Sequence, residues 1–182
     1  MSIAIRQACI DDAAAIARVQ IASWRTTYRG IVPNRYLESL DVEVRTARWK
    51  EAFAAPMAVL FVAEAEGEIF GFISGGKLRE PIGDCDGELY AIYLLREWQG
   101  QGIGRRLTQK LAAALLGAGY QSMAVWVLAR NPAVDFYKRL GALPLAAKTI
   151  EIGGAQLEEV ALGWPHLEQS FPNQASAAKG QS

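Results

Sequence analysis

The sequence predicts an α/β protein: one central mixed sheet with helices on both faces. Three observations carry this. Two strand-like runs, 58–65 and 69–77, flank the turn Glu66-Gly67-Glu68, as in a hairpin. Two almost wholly apolar runs, 88–95 and 123–129, are separated by a helical pattern, which suits parallel strands buried on both faces. Helical patterns precede the first pair and follow the second, so both faces of a sheet are supplied with helices.

Residues Ile3 to Ala8 alternate apolar and polar, as a short strand does. Asp11 and Asp12 suit the start of a helix over 13–23 with Ile16 and Val19 inward. Residues 24–31 are a mixed aromatic and basic segment. Pro33 opens a short helix ending near Leu40. Asp41 caps another, with Trp49 and Phe53 on one face. After the 58–77 hairpin comes a loop, 78–87, with Asp84 and Asp86 placed to attract a cationic amine or to be solvated. Ile103, Leu107, Leu111 and Leu115 recur every four residues, and Gly117 and Gly119 end that helix. The strand–helix–strand unit from 88 to 129 should set its two strands side by side and parallel. Asn131-Pro132 starts a helix whose inner face is Ala133, Phe136, Tyr137 and Leu140. Strands at 147–152 and 156–164 close the fold through Gly153-Gly154. One domain is expected over 1–165, with a polar C-terminal tail over 166–182.

With 182 residues, the chain can bury a full core without staples. Basic and acidic residues balance at 19 each, so nothing in the totals calls for nucleic acid or an anionic membrane. Cys9 and Cys85 fit no zinc or disulfide spacing and read as thiols of a cytoplasmic protein. No signal peptide and no membrane span is expected. The one histidine, His166, lies at the start of the tail. This excludes a histidine-based catalytic triad and disfavours a metal site. Any chemistry falls to carboxylates, tyrosines and backbone amides.

The segment Gln99-Gly100-Gln101-Gly102-Ile103-Gly104-Arg105 lies between an apolar strand and a helix. Glycines there turn the chain tightly and aim several N–H groups one way, and the helix start adds partial positive charge. That combination suits a phosphate or pyrophosphate. A Walker A loop would need Lys-Ser/Thr, which is absent, and the dinucleotide fingerprint would need glycine where Arg105 stands. A turn serving only the fold is the plain alternative.

The stretch Glu88-Leu-Tyr-Ala-Ile-Tyr-Leu-Leu95, then Trp98, then Gln99-x-x-Gly102-x-Gly104, resembles the acetyl-CoA motif of the GCN5-related N-acetyltransferase (GNAT) superfamily. Asn131, Ala133, Phe136 and Tyr137 resemble its segment after the fifth strand. The resemblance covers about Ile3 to Trp164. It implies a GNAT-type fold and an N-acetyltransferase that uses acetyl-CoA, with no metal.

By that resemblance, backbone amides of Gln99, Gly100, Gln101, Gly102, Ile103, Gly104 and Arg105 would bind the pyrophosphate. The backbones of Ile92 and Leu94 would pair with pantetheine, helped by Asn131. A bulge near Tyr93 and Leu94 would splay the two parallel strands. Tyr137 would be the general acid for the leaving thiolate, with packing as its alternative role. Glu88 would be the base, with Tyr90 beside it on the same strand face; a solvated or paired carboxylate is the alternative. The Leu94 N–H would donate to the oxyanion. The acceptor would meet Trp24 and Tyr28, four apart on a helix, with Arg25 and Arg29 for a substrate carboxylate; core aromatics and a solvated helix face are the alternatives.

The expected acceptor is a small primary amine such as a polyamine, amino acid or amine drug. A protein or peptide acceptor, or a CoA-binding regulatory module without turnover, are the alternatives. Homodimerisation through an edge strand or the tail is a further expectation.

Overall fold

The computed structural model describes residues 2–54 and 58–172. In chain order the elements are β1 (Ile3–Gln7), α1 (Ala13–Thr27), α2 (Asn34–Glu38), α3 (Val42–Phe53), β2 (Ala58–Ala65), β3 (Glu68–Lys77) and β4 (Gly87–Leu94). They continue with α4 (Ile103–Gly117), β5 (Met123–Leu128), α5 (Ala133–Arg139), β6 (Leu143–Ile152), β7 (Ala155–Trp164) and α6 (Leu167–Ser170). The strands form one sheet in the order β1-β2-β3-β4-β5-β7-β6. Only β4 and β5 pair in parallel.

Each face of the sheet carries its own core. Ile103, Leu107, Leu111 and Leu115 of α4 are all at most 1% exposed and pack on Ile73, Leu89, Met123 and Val125. Each such side chain contributes about 1.5–3 kcal/mol through burial. On the opposite face Ile16 and Val19 of α1 meet Leu60, Val62 and Phe72. Trp49 of α3 closes that layer edge-on to Phe72, 5.1 Å between centroids. The Asp41 carboxylate caps α3 by accepting the Val44 N–H at 2.9 Å. Arg6 on β1 grips Asp12 with two bonds of 2.7 and 2.9 Å, tying the start of α1 to the sheet. That pairing holds the Asp12 carboxyl down at about 2.

Three boundaries differ from the sequence expectation. Helix α1 runs to Thr27, so the first half of the mixed aromatic-basic segment is helical. β6 starts at Leu143, four residues before the 147 expected, because it pairs with β7 from Leu143↔Gly163 onward. Past residue 165 the chain first returns to the core. Leu167 is fully buried, and Phe171 packs 5.5 Å from the Trp164 ring. Residues 173–182 of the expected tail lie outside the described residues.

The parallel pairing of β4 and β5 covers only Gly87↔Met123 to Leu89↔Val125. Beyond Leu89 the two strands diverge. The strand expected to be buried on both faces is therefore buried only at its start and partly open from Tyr90 onward. A register irregularity against β3 leaves Tyr90 between Leu89 (opposite Gly75) and Ala91 (opposite Ser74). The bulge thus sits at Tyr90, not at Tyr93 and Leu94 as expected. An inserted residue inverts the face alternation. Leu89, Ile92 and Leu94 accordingly pack toward α4, while Ala91 and Tyr93 pack toward α1.

Candidate active site

Two cavities open where β4 and β5 separate. The larger, about 600 Å³, runs along Ile92 and Leu94 past Gln99, Gly100, Gly102, Gly104 and Arg105 to Phe136. The smaller, about 220 Å³, is lined by Trp24, Tyr28, Tyr90, Trp126, Tyr137 and Glu159, among others. Ile92, Tyr93, Asn131 and Ala133 border both, so the cavities meet at the divergence.

The larger cavity is built for an extended anionic ligand. Gly100 and Gly102 have φ of +73° and +77°, a backbone that L side chains rarely adopt. Gly102 is the residue that caps α4, so the first amides of the helix face the channel without intrahelical partners. A Cβ on Gly104 would stand 3.2 Å from the Phe136 ring, which lets α4 and α5 approach at the channel wall. Arg105 lines the channel, joined by Arg96 and Arg139, which the motif did not reveal. Gln99 turns its amide back to donate to the Leu94 carbonyl at 3.0 Å. Gln101 likewise donates to the Glu97 carbonyl at 2.9 Å, and Ile103 is a core residue, so their side chains support the loop.

Backbone alternation prepares the strand edge. The Leu95 N–H bonds Phe70 of β3, which turns the Ile92 and Leu94 N–H groups toward the open side. Among the described residues no strand pairs with them there. The residues therefore fit CoA: amides and arginines for phosphates, then a free strand edge for an amide-bearing arm.

At the junction Asn131 is 7% exposed. Its Oδ1 accepts the Ala133 N–H at 2.9 Å, and its Nδ2 donates to the Tyr28 hydroxyl at 3.2 Å. One amide N–H remains for a ligand. The Trp24 indole donates to the Tyr93 hydroxyl at 2.9 Å, and the Trp24 and Tyr28 rings meet edge-on at 4.7 Å. Burial raises the Tyr28, Tyr93 and Tyr137 phenols above their ordinary value, so all three stay protonated. Tyr137 lines the smaller cavity, held by Phe136 and Trp164, and no described residue bonds its hydroxyl.

Four expected roles change. Glu88 is fully buried and lines neither cavity. Its oxygens accept the Arg79 backbone N–H at 2.9 Å and Nε at 3.0 Å, plus a further bond from Nη2. It anchors the loop after β3 instead of facing an amine. Because the bulge inverts alternation, Glu88 also faces away from Ile92 and Leu94. Tyr90 does line the smaller cavity, but its phenol donates to the Lys77 carbonyl at 2.5 Å and its ring carries the Arg79 guanidinium at 4.8 Å. Arg25 donates to the Leu37 and Leu40 carbonyls and holds the end of α2. Arg29 is exposed and borders neither cavity. Of the two loop acids, Asp86 accepts from Gln121 N, Ser122 N and Ser122 Oγ at 2.7–2.9 Å, a structural clasp.

Arg79→Ala should therefore act on stability. It leaves a buried carboxylate with one donor, and, discounted for the exposure of Arg79, a loss of about 1–2 kcal/mol is expected in urea unfolding. An unfolding midpoint equal to that of the parent would show the pair to be dispensable.

Three residues in the smaller cavity escaped the sequence reading: Arg79, Trp126 and Glu159. Glu159 had a signal. In β7 it shares alternation with apolar Leu157 and Ala161, an acid on an otherwise apolar face.

The sequence profile of the Acetyltransferase (GNAT) family matches residues 20–142. The chain belongs to the GNAT acetyltransferase family. It is thus an acetyl-CoA-dependent N-acetyltransferase. An uncharacterized N-acetyltransferase of Bacillus subtilis, YuaI, is 45% identical over 166 residues, spanning 91% of this chain and 94% of the relative. Among solved structures, the PaiA N-acetyltransferase of Thermoplasma acidophilum in complex with coenzyme A superposes with a TM-score of 0.67 at 23% identity, covering 88% and 98% of the two chains. The acetyltransferase YncA of Salmonella typhimurium with acetyl-CoA gives 0.70 at 22%, covering 92% and 95%. These likenesses establish the shared fold. No helix among the described residues is long and apolar enough to cross a membrane.

Proposed function

We propose that this GNAT enzyme acetylates the primary amine of a small molecule, with both substrates bound together. The carrying observation is the smaller cavity. At about 220 Å³ it lies below the usual range for drug-sized ligands, and it meets the larger channel at Asn131 and Ala133. Beside Ile152, one of its lining residues, α2 packs against the β6–β7 turn. Arg35 donates to the Gly153 carbonyl at 3.2 Å, and a Cβ on Gly153 would stand 2.7 Å from Tyr36. A compact amine fits a cavity of this size.

Bound acetyl-CoA supplies a thioester already activated toward an amine. The chain's part is positioning and proton control. Backbone amides at the start of α4 and the arginines would hold the phosphates. Ile92 and Leu94 would align the pantetheine arm, and the Leu94 N–H would donate to the reacting carbonyl oxygen. Tyr137 would deliver a proton to the departing sulfur from the acceptor side. The free thiols Cys9 and Cys85 support a reducing compartment, the cytoplasm.

A thiol-release assay with acetyl-CoA tests the reading, using small amines, amino acids and peptides as acceptors. Stimulation by a small amine is the expected result. Stimulation by peptides alone would replace the acceptor class.

A further inference from the structure

The smaller cavity contains one carboxylate among its described lining residues, Glu159. It lies on β7 opposite Leu128 on one side and Lys148 on the other. Its side chain is only 17% exposed, yet no described residue donates a hydrogen bond to it. The nearest cation, Lys148 Nζ, stands 3.8 Å away and is engaged elsewhere. That ammonium bonds Glu80 and lies 3.9 Å over the Trp126 ring. Glu88 by contrast is fully bonded. The Glu159 oxygens keep accessible surface in the cavity, so a ligand can supply the donors that the protein does not.

A second polar group shares this wall. Trp126 pairs with Ala161 while Leu128 pairs with Glu159, so Trp126 and Glu159 are diagonal neighbours on one sheet face. The Trp126 Nε1 atom is buried without a partner among the described residues. It is a donor with no acceptor, beside an acceptor with no donor.

We propose that Glu159 binds the ammonium of the acceptor and takes its proton, while the Trp126 indole N–H reads an oxygen on the same molecule. The acceptor class is then a compact primary amine carrying a hydrogen-bond-accepting oxygen. This rests on the small-amine reading above. The step balances as follows. The ammonium gives one proton to the Glu159 carboxylate. The freed nitrogen bonds the acetyl carbon as the carbon–sulfur bond breaks. The sulfur leaves with its electron pair and receives the Tyr137 proton. The amide nitrogen loses its second proton and Tyr137 regains one, so the net products are amide, CoA thiol and one proton released to solvent.

The surroundings suit a base. Burial raises the Glu159 carboxyl, Lys148 and Arg79 oppose this, and Glu80 and Glu88 add to it. Tyr28 and Tyr90 also line the cavity and stay neutral. Activity should fall as pH drops through this raised value, because the protonated carboxyl neither binds an ammonium nor accepts its proton.

The test measures acetylation of ethanolamine, glycinamide and propylamine by the parent enzyme, Glu159→Gln, Glu159→Asp and Trp126→Phe. Glu159→Gln should lose about 10²-fold or more in kcat/KM with an unchanged Kd for CoA, and lose the acidic limb of the pH profile. Glu159→Asp, which keeps the charge but draws it back, should retain that limb with a smaller loss. Trp126→Phe should raise KM for ethanolamine and glycinamide about five- to tenfold and leave propylamine unchanged. Parental rates and pH profile in Glu159→Gln, with small amines turned over, would overturn this inference alone. Parental turnover of peptides but of none of the three amines would overturn it together with the small-amine reading.

Discussion

Tyr137→Phe is expected to lower kcat by about 10²-fold while leaving KM for acetyl-CoA and thermal stability nearly unchanged. The argument is geometric. Tyr137 is 4% exposed and packs on Phe136 and Trp164, contacts that phenylalanine keeps. Its hydroxyl bonds no described residue, so losing it leaves no protein group unpaired. If the hydroxyl delivers a proton to sulfur, only turnover should suffer. Burial holds the phenol above its ordinary value, so it remains a donor across the whole assay range and adds no alkaline limb. Stopped-flow thiol release at saturating acetyl-CoA would measure the step. Unchanged kcat would return Tyr137 to a packing role, and a lower melting temperature with unchanged kcat would show the same.

Gly102→Val should do the reverse, raising KM for acetyl-CoA at least tenfold while sparing kcat at saturation. Gly102 holds φ at +77° and caps α4, and a Cβ there meets nothing within 4 Å. The penalty is therefore conformational and not a clash. A β-branched residue is disfavoured at positive φ, and a left-handed L residue costs about 1–2 kcal/mol. The loop should relax, and the amides at the start of α4 would no longer converge on the phosphates. Calorimetric titration with CoA checks it. An unchanged Kd would mean the arginines and the strand edge carry the affinity without the loop. Together the two variants separate gripping the cofactor from proton transfer, since one changes KM and the other kcat.

The cofactor half of the site was legible because its chemistry is local. Gly100, Gly102 and Gly104 act through their own backbones, and the four-residue spacing of Ile103, Leu107, Leu111 and Leu115 marks the helix that follows them. The acceptor half was not, because it is assembled from distant segments. Glu88 looked free at a strand start, but its partner Arg79 lies across a loop, nine residues earlier. Arg25 looked free on a helix, but the α2 carbonyls that claim it depend on how α2 folds back.

By itself the sequence determined the order of elements, the two apolar strands at the centre and the glycine turn that opens α4. Each depends on residues adjacent along the chain or on a regular period. The tertiary structure alone decided which acid lines the smaller cavity. The bulge at Tyr90 inverts the alternation of β4, and the pairing of β7 with both β5 and β6 brings Glu159 beside Trp126. A strand's face pattern is readable only while its register is unbroken. The partners across a sheet are set by the packing of the whole chain.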